Sequence, residues 1–160
     1  MVVIPGDVFS QSLHLLSAVN RSIYEARNDE LRPLGITSQQ SAMLHQIKSL
    51  GDEATVTNVA QRLHRDVSSV SDMLVRLEKR GLVRRFISPA DRRQVYVFLT
   101  DRGQQIRDKS QKENSVIKRA RSQLGDGEIQ ELNRILKELY RICLEEDRKT
   151  PQNKTAARSS

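Results

Sequence analysis

The segment from Thr55 to Gly103 constrains the fold of this 160-residue chain more than any other part. It contains two short helical patterns joined by a turn, followed by two strand-like runs on either side of an arginine-bearing loop. This order of elements is typical of a winged helix, in which the second helix can enter the major groove of duplex DNA and the hairpin can offer guanidinium groups to the adjacent minor groove. The segment therefore predicts a mostly α fold with a small β-hairpin wing.

Hydrophobic spacing defines the two helices of this segment. Thr55 can cap the first helix and Asp66 the second, with a turn at His64-Arg65 between them. The apolar residues of each helix recur at helical spacing, which marks one inward face, and Gly81 suits the left-handed end of the second helix. The inward residues expected are Val56, Val59, Ala60 and Leu63 on the first helix and Val67, Val70, Leu74 and Leu77 on the second.

The two strand-like runs are Leu82–Ile87 and Val95–Leu99, both rich in branched and aromatic residues. Pro89 and Asp91 lie between them, so we expect a hairpin whose loop is longer than a tight turn. This hairpin is the predicted wing.

Helices are also expected before the winged segment. Asp7 can cap a first helix that stops near Arg32, because Pro33 disfavours helical backbone in the residue before it. Thr37 and Gln40 then have capping-box spacing and predict the start of a second helix.

After the wing, Thr100 opens another long helix, which we expect to be interrupted only around Gly125-Asp126-Gly127. An apolar stripe follows along the last helix. The stripes of the first and last helices exceed what a small winged head could cover, and such patches normally mark an interface, so a homodimer is predicted. The predicted organisation is residues 1–36 as an N-terminal dimerisation helix, 37–103 as the winged helix-turn-helix region, 104–147 as C-terminal dimerisation helices and 148–160 as a flexible polar tail.

Composition narrows the class of protein. Lysine and arginine number 27 against 20 acidic residues, a net charge of +7 that suits a polyanionic partner but could also reflect a solvated surface. The single cysteine excludes an intramolecular disulfide, and the absence of a transmembrane-length apolar run favours a cytoplasmic protein without membrane association. The sequence lacks a zinc-ligand cluster, a phosphate-binding loop and a recognisable catalytic nucleophile, so neither cofactor nor metal nor enzymatic activity is expected.

The candidate DNA-reading residues of the second helix lie opposite its apolar stripe, because each residue turns the helix by about 100°. Serines can bond phosphates or base edges, and Arg76 suits a bidentate contact with guanine. Asp72 would repel phosphate unless it accepts from cytosine or orients an arginine. The alternative is that these are ordinary exposed helix residues. The set is Ser68, Asp72, Val75, Arg76 and Lys79, with Ser69 and Arg80 at its margin.

Arg92 and Arg93 are the candidate residues of the wing. An arginine on a protruding hairpin fits a narrow, electronegative minor groove, and Asp91 can fix its direction through a charge-assisted bond. The alternative is that both arginines are solvated loop charges.

Two motifs in this segment resemble those of the MarR family of bacterial transcription regulators. One is Asp91-Arg92-Arg93 followed by Val97, Leu99-Thr100 and Gly103, and the other runs from Arg76 to Val83. The resemblance extends upstream to Leu34-Gly35-Ile36-Thr37 with Gln40 and Leu44.

By resemblance, the protein is a homodimer whose terminal helices interlock and whose two heads bind double-stranded DNA at an inverted repeat, as a repressor. The resemblance implies DNA contacts from Ser68, Ser69, Asp72 and Arg76 in the helix and from Arg92 or Arg93 in the wing. It also implies a possible small aromatic or anionic effector.

Three interpretations stay open beside this one. A winged helix can serve as a protein-interaction module without specific DNA binding, because fold does not fix function. His14 and His45 could bind an acid or titrate near neutral pH, although exposed or hydrogen-bonded histidines are the simpler interpretation. Cys143 could be a redox switch, but its apolar stripe favours a packed, inert thiol.

Overall fold

The computed structural model describes residues 7–89, 91, 93–113 and 115–149. Contacts divide the chain into two units, Met1–Ile117 and Lys118–Ser160. The first unit contains helices α1 to α5 and the strands β1 and β2; α6 begins in it and runs on into the second unit, which continues with α7. The bounds are α1 Val8–Leu31, α2 Ser38–Leu50, α3 Val56–Arg62, α4 Val67–Lys79, β1 Val83–Ile87, β2 Val95–Leu99, α5 Asp101–Lys112, α6 Ser115–Gln123 and α7 Asp126–Lys149, with 3₁₀ turns at Arg32–Leu34 and Gly51–Glu53.

Side-chain caps begin four of these helices at the predicted residues. Each capping oxygen accepts a bond from a backbone amide in the first turn, which satisfies a donor that has no partner inside the helix. The four caps are Asp7 on α1, Thr37 with Gln40 on α2, Thr55 on α3 and Thr100 on α5. Asp66 is different, because it occupies the N-cap position of α4 but its carboxylate makes no capping bond. Asp66 has the extended backbone of an N-cap residue.

The hydrophobic core of the first unit lies among α2, α3, α4 and the hairpin. Helix α4 contributes Val70, Leu74 and Leu77, all fully buried, as the apolar spacing predicts. Each buried side chain of this size stabilises the fold by about 1.5–3 kcal/mol. Val67 was predicted to be buried as well, but it is 49% exposed, because it is the first residue of α4 and lies outside the packed part of the stripe.

The hairpin joins this core along its inner face. β1 and β2 pair in antiparallel register from Val83 opposite Leu99 to Ile87 opposite Val95, which confirms the predicted wing. On its other edge β2 contacts the chain before α3, where the Val97 amide donates to the Ala54 carbonyl at 2.7 Å. Val97 is fully buried, so the base of the wing is part of the core.

The prediction of one long helix after Thr100 is wrong. Helix α5 ends at Lys112, Glu113 has non-helical backbone angles, and α6 starts at Ser115. No proline or glycine marks this break; side chains from α1 satisfy the helix ends there instead. A second interruption does fall where it was predicted, between Gln123 and Asp126, although Gly127 lies inside α7.

The second unit carries the long helix α7. Ion pairs on its exposed surface, such as Arg134 with Glu131 and Arg141 with Glu138, follow the i, i+3 spacing of a solvated helix. Its apolar residues Leu132, Ile135, Leu136 and Ile142 are also exposed in the single chain. Cys143 is exposed with them, since none of the described residues of the single chain covers this stripe. The packed thiol that was expected would need a second copy to cover it.

Helix α7 continues to Lys149 and so includes Arg148 and Lys149, the first two residues of the predicted tail. The remainder of that tail, residues 150–160, lies outside the described residues. None of the described helices has the length and apolar content to cross a membrane.

Gly103 should be required for the junction of the wing and α5. A Cβ atom at this position would lie 1.9 Å from the Leu82 carbonyl oxygen, so the backbone would have to move. We expect Gly103→Ala to lower the free energy of unfolding by about 1–3 kcal/mol, the usual cost of overpacking. The measurement is urea unfolding at fixed protein concentration.

Gly127→Ala is the matched control for this substitution. Gly127 also lies in a helix, but a Cβ atom there would meet nothing within 4 Å. Alanine should therefore be neutral or stabilise the protein by up to about 1 kcal/mol. Equal stability of the two variants would contradict the assigned role of Gly103.

Candidate nucleic-acid interface

Helix α4 presents one exposed polar surface. Ser68, Ser69, Asp72, Arg76 and Lys79 are all exposed, on the side of the helix away from the buried stripe. The structure therefore brings together the four helix residues for which the resemblance implies DNA contacts, with Lys79 beside them, whereas Val75 is half-buried. Hydroxyl, carboxylate and guanidinium groups on one helix surface can bond both phosphates and base edges.

Arg80, at the margin of this surface, has a structural role instead. Its guanidinium donates to the Gly35 carbonyl at 2.7 Å and to Gln40 Oε1 at 3.2 Å. These bonds connect the end of α4 to the start of α2. Gly35 has a φ of 65°, the left-handed region that favours glycine, so the turn before α2 can present its carbonyl to Arg80.

Arg85 is also used inside the protein, in a contact that links the wing to α4. Glu78 Oε1 accepts from the Arg85 amide at 3.0 Å, and Oε2 accepts from Nε at 2.8 Å and pairs with Nη2 at 2.7 Å. The bonds from Arg85 hold the pKa of the Glu78 carboxyl below its usual value, against a smaller opposing effect of burial. This contact fixes β1 against the helix.

The Glu78–Arg85 contact was not found from the sequence. A glutamate seven residues before an arginine, with a helix end and a strand start between them, was the available signal. Whether the two side chains of this pattern meet depends on the direction in which the chain turns after Gly81.

The wing loop is organised by hydrogen bonds around Asp91. Its carboxylate accepts from the backbone amide of Arg93 at 3.0 Å, its own amide donates to Ser88 Oγ at 3.3 Å, and its carbonyl accepts from Gln94 N at 2.9 Å. Asp91 thus orients the backbone at Arg93, whereas the sequence led us to expect a bond to a guanidinium group. Arg93 is exposed, and Arg92 lies outside the described residues.

The two histidines differ in environment. His14 is exposed on α1, whereas His45 on α2 is half-buried. Burial, with smaller contributions from Arg107 and Arg27, lowers the pKa of His45. His45 is therefore more easily kept neutral than a solvated histidine. In the described part of the chain, no three histidine, cysteine or acidic side chains are grouped so as to hold a metal ion.

Comparison with known proteins finds relatives for part of the chain. Residues 36–95 match the model of the MarR family, a range that includes α2, α3, α4 and β1. The chain is also 36% identical over 89 residues to the HTH-type transcriptional regulator MgrA of Staphylococcus aureus. Residues 36–95 of this chain therefore resemble the MarR family. The aligned segment covers 54% of this chain and 60% of the length of MgrA.

Solved structures show the same fold over most of the chain. A mutant of MarR from E. coli, complexed with operator DNA, is 27% identical with a TM-score of 0.70, and the match covers 84% of this chain and 99% of that one. CouR from Rhodococcus jostii RHA1, bound to p-coumaroyl-CoA, has a TM-score of 0.72 at 24% identity over 84% of this chain and 95% of its own. The likeness to CouR concerns the fold alone. The protein therefore has the MarR-type winged helix, mostly helical with a two-stranded hairpin.

The contact between Glu78 and Arg85 predicts a specific titration of the Glu78 carboxyl. Because the pKa of Glu78 is lowered in the folded protein, its stabilising contribution is present above the pKa of an unfolded-chain glutamate and is lost as the pH falls through the lowered value. Arg85→Met should raise the pKa of Glu78 back towards its ordinary value, as measured by NMR titration of the carboxyl carbon. Arg84→Met is the control, since Arg84 is exposed on the other face of β1. The same pKa of Glu78 in both variants would show that Arg85 is not the cause.

Proposed function

We propose that the protein is a sequence-specific transcriptional regulator, with a binding function instead of a catalytic one. It binds double-stranded DNA as a homodimer in the cytoplasm. It represses by occupying an inverted-repeat operator. One observation carries the proposal: the exposed polar surface of α4 and the exposed Arg93 belong to one head, in which Glu78 holds the wing against the helix.

The dimensions of α4 suit the major groove. Its 13 residues span about 20 Å at 1.5 Å per residue, and the major groove is about 12 Å wide. Arg76 would read a guanine edge, while Ser68, Ser69 and Asp72 contact phosphates or base edges. Arg93 would enter the adjacent minor groove, where a narrow groove concentrates negative potential. Arg92 is proposed for the same groove by its place beside Arg93 in the sequence.

Exposed apolar residues on the terminal helices support the homodimer. Phe9, Leu13 and Leu16 are exposed on α1, and Leu132 and Ile135 on α7. A second copy that covers both stripes would remove them from water. Two heads related by a two-fold axis would then contact half-sites about one helical turn apart, roughly 34 Å. Residues 1–36 and 104–147 are accordingly proposed as dimerisation regions around the 37–103 reading head.

Release by a small aromatic or anionic effector is part of the proposal. The MarR structure was solved with operator DNA and the CouR structure with p-coumaroyl-CoA, so proteins of this fold bind both kinds of ligand. An effector that binds more tightly to a dimer with a different spacing of the two heads would shift the protein towards that spacing. It would thereby weaken operator binding.

A protein-interaction module is the second candidate function. Phe86, Ile87 and Phe98 are exposed on the hairpin, and three large apolar side chains on a wing favour contact with another protein. The two functions predict different partners for the same head.

Selection of genomic DNA fragments by the purified full-length chain decides between them. A regulator should enrich a fragment with an inverted repeat over bulk competitor at moderate salt, and sedimentation should give two chains per repeat. Binding that is weak, equal on all sequences and abolished by salt would leave only the interaction module.

Arg93→Ala should weaken operator binding and flatten its salt dependence. Each phosphate contact that is lost changes the slope of log affinity against log salt by about 0.9. Fluorescence anisotropy across a salt series measures both quantities. Arg134→Ala on α7 removes the same charge from the other unit and should leave the slope unchanged. An unaltered slope in both variants would count against the role of the wing.

Arg76→Ala should act on specificity. Loss of a bidentate contact to guanine is expected to remove about 1–3 kcal/mol at the operator. Competition between operator and random DNA of equal length gives the ratio of the two affinities. This ratio should fall in Arg76→Ala, while the affinity for random DNA changes little. Equal losses on both DNAs would assign Arg76 to phosphate instead of base contacts.

A further inference from the structure

The break between α5 and α6 is held by two residues of α1. Arg27 donates through Nη1 to the Glu113 carbonyl and through Nη2 to the Ser110 carbonyl at 3.2 Å. Both carbonyls belong to the C-terminal end of α5, where the helix has no partners of its own for them. Arg27 is only 8% exposed, so this is a buried charge with a defined position.

Glu30, one turn further along α1, serves the other side of the break. Its Oε1 accepts from the amides of Ser115 and Val116 at 3.1 and 3.2 Å and from the Ser115 hydroxyl. These amides form the N-terminal end of α6. Glu30 also pairs with Arg27 through Oε2.

The charges of this pair match the ends of the two helices. A cation lies at the negative C-terminal end of α5, and an anion lies at the positive N-terminal end of α6. One ion pair therefore satisfies the end groups of two helices at once. We name the set Arg27, Glu30, Ser110, Glu113 and Ser115 the α1 clip.

The α1 clip is connected to the buried core of the head. The Ser110 side chain is fully buried, its hydroxyl donates to the Arg107 carbonyl at 2.7 Å, and it accepts from Ser41 Oγ at 3.1 Å. Ser41 lies on α2, and two nearby residues of the same helix, Met43 and Leu44, belong to the hydrophobic core. A movement of the clip would thus disturb bonds that reach the winged head.

We propose that the α1 clip is a positioning device, which fixes the direction in which α6 leaves the winged head and so determines the half-site spacing that the dimer accepts. The inference rests on the proposed function. An unclipped break would leave unpaired end groups on both helices and could bend in many directions, whereas the clip satisfies those groups in one geometry. The avidity of two linked heads exists only where the geometry lets both bind together.

The experiment compares the full-length protein and its variants on operators whose half-sites are moved apart or together one base pair at a time, and on a single half-site. The variants are Glu30→Gln and the milder Ser115→Ala, with thermal unfolding as the check on folding. Asp29→Asn is the matched control, because Asp29 pairs with Arg32 close to the clip and at the same i, i+3 spacing. Both side chains of this control pair are exposed, Asp29 by 68% and Arg32 by 80%.

Wild type and Asp29→Asn should prefer one spacing. Glu30→Gln should lose that preference, with affinity for the preferred spacing falling about tenfold or more because simultaneous binding of both heads becomes less frequent. Its affinity for the single half-site should stay the same within about twofold, the precision expected of such a comparison. Ser115→Ala should show the same pattern to a smaller degree.

Two results would overturn the inference. Equal weakening at every spacing and on the half-site would mean that the clip serves stability alone, and an unchanged spacing preference in a folded Glu30→Gln protein would mean that it does not set the spacing. Failure of the proposed function looks different, since wild type itself would then show no preference for any inverted repeat.

Discussion

Burial of the apolar stripe of α4 is the constraint on which the rest of the structure depends. Val70, Leu74 and Leu77 are fully buried, so the opposite side of the same helix must face outward. Apart from the half-buried Val75, the side chains on that outward side are polar or charged. The packing of the core and the exposure of Arg76 therefore both follow from the period of this helix. The hairpin shares this core through Val97, so the same packed core also supports the strands that flank the exposed Arg93.

The positive charge of the head has two separate uses. Arg80 and Arg85 bond to groups inside the protein, where they join α4 to α2 and to the wing. Arg76 and Arg93 are exposed and free of such structural tasks in the described contacts, which fits them for an external polyanion. A count of basic residues along the sequence cannot separate the two groups, because the difference lies in whether an acceptor is within reach after folding.

Local chemistry explains what could be predicted from the sequence. Caps such as Thr37 and Thr100, the helical spacing of the core and the strand-rich runs of the wing involve neighbours within a few residues, and they occur where they were expected. The break at Glu113 was missed because its cause is Arg27 and Glu30, more than 80 residues earlier in the chain. The Glu78–Arg85 contact was missed for the same reason, since its partners meet only after the chain has reversed.

The bond from Arg85 to Glu78 also bears on whether the open edge of β1 can pair with a strand of another molecule. β2 is flanked by β1 and by the chain at Ala54–Thr55, whereas β1 pairs on one side only among the described residues. A free strand edge offers unpaired amides to another chain, which is a route to fibrous aggregation. Because the Arg85 amide is already bonded to Glu78, the middle of this edge has no donor to offer. The Glu78 carboxylate that holds the wing against α4 therefore also hinders the pairing of β1 with a strand of another molecule.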